Sequence, residues 1–328
     1  AIPLPSAHFN TVIWTGNSTN NRVIPVGFAA DLTWFKQRTG TNWHGLLDTV
    51  RGNSNPNVIH SNATNAAGDW TYIFKGHTST GFTVGTDSAV NANSNTYVAW
   101  NWKANGSGSS NSDGTITSTV SANQTAGFSI VKYTGTGTNV SVGHGLNAVP
   151  ELVIVKSLST SSWWVYTTAI DGSLDYLALN TTAAAGNASQ TASTSTLFYQ
   201  NNTNASIAYC FASKPGFSKF GTYTGNGNAS GPFIFTGFKP AFVITKRYST
   251  IGRWTIEDNK RDPFNEVVNG LYANTNNADS AGAGGYWDMD FLSNGFKIRA
   301  TDGEINGNGA DFLYIAFAES PFKTANAR

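Results

Sequence analysis

Three stretches of the chain carry the same order of apolar, aromatic and polar positions. The first reads Phe9…Trp14-Thr15-Gly16…Gly27-Phe28…Lys36…Trp43. The second reads Phe128…Tyr133-Thr134-Gly135…Gly145-Leu146…Lys156…Trp163, and the third Phe220…Tyr223-Thr224-Gly225…Gly237-Phe238…Lys246…Trp254. Each closes on an apolar word around an alanine: Tyr97-Val98-Ala99-Trp100, Ile207-Ala208-Tyr209-Cys210-Phe211 and Tyr314-Ile315-Ala316-Phe317. An internal repeat fixes architecture before residue chemistry is considered. It also argues against one asymmetric catalytic centre, because what is copied three times is scaffold.

Within each copy the periodicity is that of strands. Glu151–Lys156 and Ala241–Lys246 are short, β-branched apolar runs led in by Pro150 and Pro240, which favours buried strands over helices. The lysine ending each run is expected to stop it at solvent. Leu32–Lys36 fits the same slot. Gly81-Phe82-Thr83-Val84 and Gly295-Phe296-Lys297-Ile298 alternate as matching strands, shortened in the second copy to Leu197-Phe198-Tyr199. Asn-Gly and Asp-Gly pairs at 294–295, 302–303, 306–307 and 308–309 punctuate hairpins. The pattern predicts an all-β chain of three tandem, similar antiparallel β-sandwich-like units, set around a pseudo-threefold axis or strung into a rod. The units span 8–103, 127–213 and 217–322. Residues 104–126 form a Gly/Ser/Asn linker with an extra edge strand over 115–120.

Composition narrows the surface chemistry. Charged residues are only 12% and the net charge is +1, so no electrostatic footprint for nucleic acid or an anionic membrane is visible. Polarity comes from neutral Asn, Thr, Ser and Gly, and aromatics reach 13%. Such surfaces meet sugars and other neutral partners. No apolar run is long enough to span a bilayer. The lone Cys210 excludes an intrachain disulfide and reads as a small buried hydrophobe. The start, Ala1-Ile2-Pro3-Leu4-Pro5, has neither a basic nor a hydrophobic leader segment. The expectation is a protein made in a cytoplasm and released by lysis.

Candidate chemistry is sparse. Trp43, Trp163 (or Trp164) and Trp254 could be sugar-stacking platforms, but repetition at one slot favours core tryptophans closing a sandwich. With Lys36, Lys156 and Lys246 they are the structural anchors of the repeat. Asp48-Thr49-Val50-Arg51 and Asp258-Asn259-Lys260-Arg261 have the spacing of a salt bridge across a turn. The second copy carries Asp171-Gly172 in that place and no arginine. Asp288, Asp290, Asp302 and Glu304 are the calcium candidates, although strand-like alternation and the lack of EF-hand spacing count against them. The five histidines show no zinc spacing, and no nucleophile elbow or phosphate loop is present. No cofactor or catalytic residue is expected.

The repeated words, with Gly237–Lys246, Tyr97–Trp102 and the terminal 316–323, resemble an uncharacterised repeat family in structural proteins of marine tailed phages, including cyanophages, often labelled tail fibre-like. The resemblance runs from Phe9 to Arg328 and carries no catalytic or binding residues to transfer. It implies a non-enzymatic virion protein of tail-fibre or receptor-binding type. Its partners would be other virion proteins and a host surface glycan or protein, with homotrimerisation by fibre analogy. A capsid decoration or head-fibre protein is the alternative, and a glycan depolymerase the third reading.

Overall fold

The computed structural model describes residues 2, 4–53, 57–69, 72–137, 139–281 and 286–320. Nearly all its regular structure is antiparallel strand, with a 3-10 turn at Pro5–Ala7 and a short α-helix at Gly303–Asn306. Three principal sheets share one strand order. In the first, Phe9–Thr15, Thr96–Trp102, Leu32–Gln37 and Gly45–Asp48 lie side by side. The second places Phe128–Thr134, Ala205–Phe211, Leu152–Ser157 and Trp163–Thr167 in that order, and the third Ser218–Thr224, Asp311–Phe317, Phe242–Arg247 and Trp254–Asp258. The expected linker is partly built into the second sheet, where Ser109–Asn111 and Ser118–Asn123 extend its edge. Its alternating Thr-Ile-Thr-Ser-Thr-Val stretch supplies ladder partners that a flexible spacer would lack.

A small sheet covers the outer face of each principal sheet, making three two-layer sandwiches. Ile24, Phe82 and Phe74 face Trp14 and Tyr97 in the first. Val142 and Phe198 face Tyr133 in the second, and Ile234, Phe296 and Phe291 face Tyr223 in the third. The inner faces of all three principal sheets meet in one shared apolar core. Both faces are therefore covered, and Leu32–Gln37, Leu152–Ser157 and Phe242–Arg247 are buried along almost their whole length. At the centre Trp102, Phe211 and Phe317 form a triangle, with ring centroids 6.4, 5.8 and 5.7 Å apart. All three occupy one register position, opposite Leu32, Leu152 and Phe242.

The sandwiches close into a ring through matching backbone contacts. Ala67 N–H donates to Leu158 O, Ala185 N–H to Tyr248 O, and Asp279 N–H to Arg38 O. The acceptors each lie two residues after the buried lysine of the next sandwich. Trp163 Nε1 donates to His60 O at 2.7 Å and Trp254 Nε1 to Ala178 O at 3.0 Å. In the first sandwich a histidine ring, His44, stands at that place, and its Nδ1 accepts from Trp34 Nε1 at 3.0 Å.

Register also corrects several sequence expectations. The three lysines do not end their strands at solvent; Lys36, Lys156 and Lys246 are all fully buried. Each Nζ donates to the next residue's carbonyl (Gln37 O 2.6 Å, Ser157 O 2.6 Å, Arg247 O 2.7 Å) and to a second one in its own turn. An ammonium with its donors satisfied by carbonyls can sit under a neighbouring loop, though desolvation holds all three down at about 8. Trp163 and Trp254 stand opposite Lys156 and Lys246, but His44, one step beyond the Phe35–Gly45 pair, takes that slot in the first sandwich. His44 is fully buried while Trp43 is 40% exposed. Two sequence alignments shift by one strand period. Ser218, not Phe220, matches Phe9 and Phe128, and Tyr314, not Ala316, matches Ala99 and Ala208. A slip of two residues keeps the same face, so the apolar pattern alone does not reveal it.

Candidate binding groove

The outer faces of the three principal sheets differ in cover. The small sheets of the first and third sandwiches have three strands, Arg22–Pro25, Gly81–Val84 and Phe74–Thr78, and Phe233–Phe235, Gly295–Ile298 and Met289–Leu292. The second has two, Val140–Gly143 and Leu197–Gln200. No strand matches Phe74–Thr78 or Met289–Leu292 there among the described residues; the chain from Ala188 to Thr196 passes as a loop. A shallow groove of about 520 Å³ opens where that strand would lie.

One wall of this groove is the outer face of the second principal sheet. Val155, Trp164 and Tyr166 line it. In the third sandwich the same positions are Thr245, Thr255 and Glu257, and in the first Phe35, Gly45 and Leu47; all are buried. A Cβ at Gly45 would meet the Phe35 ring at 2.2 Å, so no side chain fits there. Trp164 is thus the one bulky residue at its register position, 36% exposed, with Tyr176 edge-on at 5.5 Å. Adjacent rows of indole and phenol on one sheet face are typical cross-strand neighbours.

Neutral amides and serines form most of the rest of the lining. Gln190 Nε2 donates to the Tyr166 hydroxyl at 3.1 Å, and Asn202 Nδ2 to the Tyr133 hydroxyl at 2.9 Å. Asn202 Oδ1 is buried with no hydrogen-bond partner. Among the described residues no Asp, Glu, Lys or Arg lines the groove. The arrangement offers an aromatic plane and hydrogen-bonding groups without charge. Sequence reasoning weighed Trp164 only as a substitute for Trp163; adjacent tryptophans on a strand point to opposite faces, and that alternation was the signal available.

The remaining candidates lie elsewhere and do not converge. Asp48–Arg51 and Asp258–Arg261 form buried ion pairs of 2.5 and 2.6 Å. Arg51 also donates to Leu46 O and Arg261 to Ile256 O, at matching positions. Both pairs sit at seams between sandwiches: Asp48 accepts from the Tyr209 hydroxyl at 2.8 Å and Asp258 from Trp100 Nε1 at 3.0 Å. Register puts Thr167, not Asp171, at the corresponding place in the second sandwich. Of the calcium candidates, Asp302 caps the short helix by accepting from Glu304 N–H, and Glu304 accepts from Arg253 N–H. Asp290 faces Arg299 at 3.6 Å. Among the described residues no three His, Cys, Asp or Glu side chains come close enough to hold a metal ion. Cys210 is buried, and burial pushes its thiol up to about 12.

One family matches the sequence, described as a domain of unknown function (DUF7483), over residues 4–321. No curated protein and no solved structure matches the chain.

Proposed function

We propose that this chain, which belongs to the DUF7483 family, is a non-enzymatic display protein exposed on a phage particle, of tail-fibre or receptor-binding type. The observation that carries the reading is the uncharged groove of the second sandwich, set on a scaffold whose three sandwiches are tied into a closed ring. A rigid support with one open, neutral recess suits recognition. Glycoside cleavage needs two carboxylates flanking the bond, and none lines the recess among the described residues. The low net charge fits a saline setting, where screening shortens electrostatic steering to a few Å. Weak contacts made by many copies on one particle would supply avidity.

The test uses purified particles and labelled protein. Expected are a fibre-like copy number by quantitative mass spectrometry and saturable binding of the free protein to host cells. Hundreds of copies per particle with no cell binding would make it a decoration protein instead. Release of reducing sugar from host polysaccharide would make it a depolymerase.

A further inference from the structure

We infer that the groove of the second sandwich binds an uncharged glycan, a short run of neutral pyranose rings with one ring lying on the indole of Trp164. This deepens the receptor-binding reading and rests on it. A pyranose presents an apolar C–H face and a rim of hydroxyls. Its receptor needs an aromatic plane held in fixed orientation, with donors and acceptors around it. Trp164 supplies the plane, about a third exposed and braced by Tyr176 at 76° between rings. Gln190 and Asn202 each spend an amide N–H on a tyrosine hydroxyl. That anchoring fixes both amides and leaves the Gln190 carbonyl oxygen in the groove wall as an acceptor for a sugar hydroxyl.

The groove volume of about 520 Å³ is in the range of small-molecule sites, ~300–1,000 Å³. Charge sets the class. Uronic acids, sialic acids and sulfated sugars are bound through Lys or Arg, and no cation lines this recess.

The experiment titrates the full chain with neutral trisaccharides of glucose, galactose and mannose, and with uronic-acid trisaccharides of equal length. Tryptophan fluorescence and saturation-transfer NMR report binding. At least one neutral series should bind and shift the emission, and the uronic acids should not. Trp164→Ala should weaken that binding tenfold or more with an unchanged melting temperature, while Trp43→Ala, in a separate recess of the first sandwich, should bind as wild type. Binding of the acidic series alone, no binding of any neutral series, or equal binding by Trp164→Ala would overturn the inference. Cell binding that survives Trp164→Ala would sink the groove assignment and leave the display reading standing; absence of cell binding by the wild-type chain would sink the display reading itself.

Discussion

At the seam between the first and second sandwiches, Tyr209 reaches across to Asp48, which Arg51 clamps. At the seam between the second and third, the same register positions are held by Ile315, Thr167 and Ile170, and both isoleucines pack into the central core. The Thr167 hydroxyl turns away to Glu151 O. One slot is thus filled by a closed ionic network in one place and by apolar packing in another. What the slot requires is shape and the absence of any unpaired group; charge is optional. The third seam repeats the ionic form with Asp258, Arg261 and Trp100, and adds Asp279, which Arg261 shares with Arg38.

The largest expected effect comes from breaking one ionic seam by half. Arg51→Ala leaves the Asp48 carboxylate buried and uncompensated, and should cost about 3–5 kcal/mol in a urea titration. Converting that seam to the apolar form, with Asp48→Thr, Arg51→Ile and Tyr209→Ile together, should recover most of the loss, because a buried ion pair and a well-packed apolar set are often close in net stability. A triple variant as unstable as Arg51→Ala would show that the two seams are not alternative fillings of one slot.

A smaller effect tests the same contrast on the outer faces. Glu257 stands where Leu47 and Tyr166 stand in the other sandwiches, and burial raises its carboxyl to about 8. Below about pH 4.5 both folded and unfolded chains hold this proton and the contribution is complete. As pH rises from 4.5 to 8 the unfolded chain ionises first, so stability falls, by up to about 1.4 kcal/mol per pH unit. Glu257→Gln should flatten that decline and leave the protein more stable than wild type near neutral pH. Parallel pH profiles for the two proteins would remove Glu257 as the cause.

Strand content and the two-layer units were legible in the sequence because period-two alternation, Pro lead-ins and Asn-Gly turns are local signals. The Asp-x-x-Arg pairs were legible too, since their spacing spans one turn. The ring was not. Closure uses the backbone N–H groups of Ala67, Ala185 and Asp279, a role that leaves no side-chain signature at the two alanines. The buried lysines were misread for a related reason: a charge at the end of an apolar run usually marks solvent, and only the folded turn brings two carbonyls to its Nζ. The groove was invisible for a third reason: its lining gathers residues from 155 to 204 that only the fold brings together.

The three lysines give the mildest test, and it compares all seams at once. A lysine lowered to about 8 in the folded chain, against 10.5 unfolded, is charged in both states below pH 8, where the desolvation cost is borne in full. Between pH 8 and 10.5 the folded chain has released the proton and the unfolded chain still binds it, so stability rises with pH. Tyr209 and Tyr223, held well above 10 by burial, oppose this only at higher pH, where the unfolded tyrosines ionise. The urea midpoint of the wild type should therefore climb from pH 8 to 10, and Lys156→Met or Lys246→Met should each remove part of the climb. These two lysines also touch the preceding sandwich, at Thr64 O (3.5 Å) and Thr182 O (3.2 Å), whereas Lys36 meets the preceding sandwich through the charge of Asp279. Lys36→Met should in addition leave Asp279 with less positive charge around it, so its loss at pH 7 should exceed that of the other two. Equal losses for the three would mean that the lysines serve their own turns and contribute nothing to closing the ring.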